Sequence, residues 1–161
     1  GDHRDLPSFP TRRSSDLMTL ASLRRVMRHG MIDHAAEARL AGEWVERLHI
    51  RTPSIRALCR NLSGGNQQKI VLAKWMNAHA RIIILDHPTR GLDVGAKEEV
   101  YDLVRSMSAQ GLGVLLIADT LEETIGLCHS IMVMRDGRVT RRFDAPSGAQ
   151  PRQVDLVEHM V

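Results

Sequence analysis

Aromatic residues are scarce, at two Trp, one Tyr and two Phe in 161 residues, and they are scattered. A surface that stacks unpaired bases needs clustered rings, so this composition argues against one. Cysteines number two, Cys59 and Cys128, far apart and without paired-ligand spacing. That suits inert core thiols in a reducing compartment better than a disulfide framework. No apolar run approaches the roughly 18 residues of a membrane span, and the first residues lack the apolar stretch of a secretory signal. A membrane role must then come through a partner. Charge of one sign is not in excess either: the formal net charge is +3 with 25% charged residues, so nothing demands a nucleic-acid partner. There is no internal repeat, and the length suits one core.

What the sequence does hold is concentrated between Asn61 and Lys97. Leu62-Ser63-Gly64-Gly65-Asn66-Gln67-Gln68-Lys69 sets two glycines after a hydroxyl residue, and an amphipathic run with Leu72, Trp75, Met76 and His79 at helical spacing follows. The pattern predicts a loop entering a helix N-terminus, where unpaired N–H groups and the helix dipole favour an anion such as a phosphate. Next, Arg81-Ile82-Ile83-Ile84-Leu85-Asp86-His87-Pro88 reads as a strand buried on both faces and ending in a charge. An aspartate at the carboxyl end of a parallel strand is placed to hold a magnesium-bound water. Thr89 to Asp93 form a loop, and a helix with Val100, Leu103, Val104 and Met107 on one face follows.

In this order the motifs resemble those of the ATP-binding-cassette (ABC) ATPases. Leu62 to Gln68 is similar to the family's signature motif, Arg81 to Asp86 to its Walker B strand and Gly91-Leu92-Asp93 to its D-loop. Together with Pro88 to Lys97 the wording is nearest the second cassette of the tandem ATPases of bacterial sugar importers of the ribose, galactose and xylose type. The resemblance covers roughly Leu20 to Phe143. It implies an α/β fold, the C-terminal part of a P-loop NTPase cassette: a helical subdomain, then a mostly parallel sheet with flanking helices and a terminal hairpin.

The expected divisions are a disordered or non-native leader (1–17), a helical subdomain (18–61), the cassette core (62–144) and a tail (145–161). The leader has turn chemistry without an apolar period, and Phe9 to Leu17 also resembles translated sequencing-adapter sequence. A helix is expected from Leu20 to a stop at Gly30, and a second from an Asp33 N-cap to Leu48 with Leu40, Trp44, Val45 and Leu48 inward. No strands are expected there. His29 and His34 lack the companions of a metal site, and Trp44 and Trp75 read as core anchors. Val114 to Ala118 reads as a second strand parallel to the first, with Thr120 or Asp119 capping the next helix. Arg135-Asp136-Gly137 between apolar runs predicts a hairpin that extends the sheet, and Val154 to Met160 a terminal helix.

The resemblance also assigns roles. Leu62, Ser63, Gly64, Gly65, Asn66 and Gln67 would contact ATP held by a partner cassette, Asp93 would communicate across that interface, and Asp86 would hold Mg through water. Two positions depart from the family. His87 stands where a glutamate polarises the attacking water, and an imidazole differs from a carboxylate in reach and lone-pair direction. Asp119 stands where the family has a histidine that senses the γ-phosphate, which an aspartate would repel. No G-x-x-x-x-G-K-[ST] cradle occurs; the family carries it upstream of the helical subdomain, so the chain reads as N-terminally truncated and inactive alone. The expected partners are a second cassette, a membrane permease and, indirectly, a periplasmic sugar-binding protein, at the cytoplasmic face of the inner membrane, with no nucleic acid. The alternatives are a cassette ATPase acting on nucleic acid or ribosomes, which would carry coiled-coil insertions or a basic arm, and a regulatory cassette without turnover. A helix cap is the ordinary alternative for Ser63.

Overall fold

The computed structural model describes residues 12–145 and 149–160, in two units. The first takes the described residues up to Arg81 together with Gly91–Leu103. Its elements are α1 (Ser14–Thr19), a 3-10 stretch (Leu20–Arg25), β1 (Met27–Arg28), β2 (Met31–Ile32), α2 (His34–Arg47), a 3-10 turn (Cys59–Asn61), α3 (Gly64–Asn77) and the start of α4 (Val94–Ala109). Leu17, Met18, Ala41, Trp44, Leu48, Ile50, Cys59, Ile70 and Ala73 make its core.

The α2 boundaries follow the sequence. Asp33 Oδ1 accepts from the Ala35 and Ala36 N–H groups at 3.0 Å, filling two donors that a helix start leaves without intrahelical partners. These bonds, the one from Ala36 foremost, hold its carboxyl below the usual range. At the other end His49 adopts a left-handed φ of 49°. His49 N–H donates to the Glu46 carbonyl and Ile50 N–H to that of Val45, the bond pair of a Schellman stop. Histidine is among the side chains that enter this region more readily than most.

Several expectations for this unit fail. Residues 1–11 of the leader lie outside the described residues, but Ser14, Ser15 and Leu17 are buried. Ser14 and Ser15 N–H groups donate to the carbonyls of Ala57 and Ile55 at 2.9 Å, and Leu17 and Met18 enter the core. Two apolar residues are too few to show a period, so the stretch reads as linker. In place of a helix from Leu20 to Gly30 there is the 3-10 stretch, broken at Ser22, and then the hairpin β1–β2. His29 and Gly30 take φ values of 53° and 81° at its tip, as a two-residue mirror-image turn requires. Trp75 is exposed and lies under Lys74, with Nζ 4.5 Å from the ring centroid. Of the two tryptophans only Trp44 is buried in the core. Burial pushes the Cys59 thiol up to about 11, which keeps it protonated near neutrality.

The second unit takes Ile82–Arg90 and Val104 onward: β3 (Ile82–Asp86), the end of α4, β4 (Gly113–Ile117), α5 (Leu121–Leu127), β5 (Ser130–Arg135), β6 (Arg138–Asp144) and α6 (Gln153–Val157). β3 and β4 are parallel, registered from Ile82↔Gly113 to Asp86↔Ile117. β5 and β6 form the hairpin expected from Asp136-Gly137, both at positive φ. The hairpin does not extend the sheet; it is a separate two-stranded sheet. Its apolar side, Ile131 and Val133, instead packs with Ala145, Leu156, Leu121, Ile125, Cys128 and Phe143. The expected terminal helix is shorter, ending at Val157.

β3 is not buried on both faces. Ile83 and Leu85 are buried, whereas Ile82 and Ile84 are 71% and 65% exposed. Their register partners on β4, with Leu115 opposite Ile84 and Ile117 opposite Asp86, share that exposed side. An all-apolar strand cannot announce which of its faces a layer covers.

Candidate functional site

The residues proposed from the sequence fall into two groups, one in each unit. In the first unit, Ser63 takes the N-cap position of α3 with extended backbone (φ −61°, ψ 154°), yet its side chain makes no capping bond. Its Oγ accepts instead from Asn66 Nδ2 at 2.8 Å. Asn66, nearly buried, also accepts from the Arg51 N–H through Oδ1 at 2.8 Å. Ser63 and Gly64 are exposed, while Gly65 and Asn66 are not. Gln67 turns back on the loop, its Nε2 donating to the Leu62 carbonyl at 2.7 Å. Leu62 is half-buried and packs against the core.

Asp93 lies in the same unit, where its Oδ1 accepts from the Ala96 N–H at 2.9 Å and so caps α4. The signature glycines face this segment. A Cβ on Gly64 would stand 2.8 Å from Leu92 Cδ2, and one on Gly65 would stand 2.9 Å from Ala96 Cβ. Lys69, nearly buried, donates to Glu99 at 2.9 Å, and this bond holds the Glu99 carboxyl below its ordinary range. Leu62, Ser63, Gly64, Gly65, Asn66, Gln67 and Asp93 are thus brought into one unit. Arg51, Lys69, Leu92, Ala96 and Glu99 were not singled out as part of this arrangement. Lys69 stands inside the motif and could have been suspected; its partner, 30 residues on, leaves no local pattern.

In the second unit Asp86 ends β3 with its side chain 72% exposed, and the His87 N–H adds one more rung by donating to Ile117 at 2.8 Å. The parallel register therefore delivers Asp86, His87 and Asp119 to the carboxyl end of the two strands, where α/β sheets place their ligands. His87 Nδ1 is 2.9 Å from Asp119 Oδ1 and Nε2 is 3.5 Å from Asp86 Oδ1. The first contact is short but off the hydrogen-bonding direction, so the buried Nδ1 makes no hydrogen bond. His87 sits at φ 46°, and Arg90 Nε lies 4.0 Å from Asp119.

Behind this turn, Thr89 is almost wholly buried and its hydroxyl is shared at 3.0 Å between both oxygens of Glu123. Thr120 caps α5 by accepting from the Glu123 N–H at 3.2 Å. The pair ties the loop after β3 to α5. Thr89→Val keeps the shape and removes the donor to a buried carboxylate, so it is expected to cost about 1 to 3 kcal/mol of stability. Denaturant titration checks this, and an unchanged midpoint refutes the tie.

Asp86 suits magnesium as a lone carboxylate, because that ion keeps most of its waters and shares a single acid with nucleotide phosphates. Among the described residues no group of three or more His, Cys, Asp or Glu could hold a metal by itself.

The family model for the ABC transporter matches residues 7–90. The xylose import ATP-binding protein XylG of Geobacillus kaustophilus (strain HTA426) is 42% identical over 134 residues, 83% of this chain and 27% of that protein. The ribose import ATP-binding protein RbsA of Rhodopirellula baltica (strain DSM 10527 / NCIMB 13988 / SH1) is 44% identical over 126 residues, 78% of this chain and 25% of that one. An inward-facing metal-chelate-type ABC transporter structure superposes with a TM-score of 0.73 at 16% identity, covering 87% of this chain and 55% of that one. A dimeric ATP-binding cassette in a post-hydrolysis state with ADP and Pi gives 0.67 at 20%, covering 87% and 60%. The chain spans about a quarter of the length of the curated relatives it matches. Because that family model spans more than half of its residues, this chain belongs to the ABC transporter family.

Proposed function

We propose that the chain is part of the ATP-binding, energising subunit of a bacterial carbohydrate importer, and that it is the cassette that lends its signature loop to a partner's ATP while its own site turns over poorly. The reading is supported by an asymmetry within one chain. The signature loop presents Ser63 and Gly64 outward without spending the hydroxyl on a helix cap. Where the family has a water-polarising glutamate, the chain has His87, whose two ring nitrogens lie against Asp119 and Asp86. An imidazole with a carboxylate beside each ring nitrogen is poorly aimed at an attacking water.

Bound Mg-ATP supplies the phosphoryl group. Ser63, Gly64 and Gly65 would face the γ-phosphate held by the partner cassette, and Asp86 would orient a magnesium water in the weak site. On this reading coupling to transport runs through a membrane permease, with a periplasmic sugar-binding protein delivering the cargo; no described helix is long and apolar enough to cross a membrane. That assembly lies at the cytoplasmic face of the membrane.

His87→Ala in the intact importer, reconstituted in vesicles, is expected to leave ATP turnover and sugar uptake within about twofold, against the about 10²- to 10⁴-fold that loss of a positioned base costs. A loss in that larger range means that His87 works as the base and that the site is not degenerate.

A further inference from the structure

The two bonds of Asn66 fix the direction of a proton on Ser63. A backbone N–H can only donate, so the Asn66 atom 2.8 Å from the Arg51 nitrogen must be the amide oxygen. The other terminal atom is therefore the NH2 group, which can only donate, and the Ser63 Oγ that lies 2.8 Å from it must accept. A hydroxyl that accepts on that side keeps its single hydrogen for another partner. Ser63 Oγ accepts no capping N–H, so the Asn66 amide is its one donor among the described residues, and the residue is exposed at the start of α3. Asn66 has little freedom to change this, being nearly buried and held at both ends.

We propose that Asn66 is a positioning residue: anchored on the Arg51 main chain, its amide holds Ser63 Oγ as an acceptor and thereby turns the hydroxyl hydrogen outward, as a donor to an anionic phosphate oxygen. This rests on the signature-loop reading above. It deepens that reading by giving the loop a preset polarity rather than a freely rotating hydroxyl. A donor aimed in advance loses no orientation when charge arrives.

Asn66→Asp tests the polarity directly. Its first oxygen still accepts from Arg51, but its second cannot donate and instead accepts from Ser63, turning the hydrogen inward. In the full-length protein assembled with its membrane partners, with Mg-ATP as the probe, we measure kcat and KM for Asn66→Asp, Ser63→Ala and the double variant. One charge-assisted hydrogen bond is worth about tenfold or more, so each single variant is expected to lower kcat about tenfold or more, and the double to be no worse than the poorer single. Additive losses overturn the proposal, because Asn66 would then act other than through Ser63. A normal rate in Asn66→Asp beside a low rate in Ser63→Ala also overturns it. A normal rate in Ser63→Ala instead removes the signature-loop reading on which it rests. Thermal melting of each variant verifies folding; if Asn66→Asp does not fold, the cycle is run with Asn66→Ala, which releases the hydroxyl without reversing it. That variant must again show no added loss in the Ser63→Ala background, and additivity again overturns the proposal.

Discussion

In the carbohydrate importer proposed above, Ser63→Arg is expected to abolish ATP turnover and sugar uptake while leaving the fold unchanged. Both halves follow from where Ser63 lies. Its side chain is exposed, caps nothing and contributes no core contact, so a larger residue projects into solvent without displacing the packing beneath. On the proposed reading that solvent is where the partner's γ-phosphate arrives. Loss of one donor aimed at developing charge costs about 10²- to 10³-fold in rate, and the bulk of arginine adds exclusion to that loss. The measurement is vesicle transport and phosphate release beside a melting curve. Full turnover in a folded Ser63→Arg protein overturns the role of the loop.

The second large effect concerns Gly65. The geometry gives this position a packing reason to lack a side chain. An added Cβ would meet Ala96 Cβ at 2.9 Å, inside any ordinary carbon contact. Ala96 cannot swing away, because its Cβ is fixed to the backbone of α4. Gly65→Ala is therefore expected to destabilise the protein even though helix propensity alone favours alanine by about 1 kcal/mol; overpacking of this kind costs about 1 to 3 kcal/mol. Gly64→Ala is expected to be milder, since Leu92 Cδ2 lies at the end of a flexible side chain. Ala96→Gly should restore most of the loss in Gly65→Ala, less the roughly 0.5–1 kcal/mol that glycine costs within a helix. Denaturation midpoints of the four proteins decide it; a Gly65→Ala protein as stable as the parent, or no recovery in the double, rules the contact out.

The contrast between what could and could not be read in advance has a physical basis. Asp33 as a cap, Asp136-Gly137 as a tight turn and Ile82 to Asp86 as a strand were legible because each rests on neighbours a few residues apart. The β1–β2 tip was missed because His29-Gly30 is an uncommon spelling of the same turn, and because Leu20, Leu23, Val26 and Met27 imitate a helical period. Trp75 was misplaced since its helix buries Ile70, Leu72, Ala73 and Asn77, a stripe set by partners distant in sequence. The same limit hid the bond from Lys69 to Glu99 and the close meeting of Gly65 with Ala96. At the other site, Asp86, His87 and Asp119 are each legible as candidates, but that Asp119 reaches the imidazole follows only from strand register.

The pairing of Asp86 with Ile117 has a consequence for how this region can change over evolutionary time. Strand side chains alternate, so shifting β4 by a single place would carry Asp119 away from His87 and swap which residues of the strand look outward. The bend at Gln110 to Leu112, which feeds β4 directly, therefore tolerates changes of residue far more readily than insertions or deletions. A spelling error there is survivable; a frame of reference lost by one notch is not.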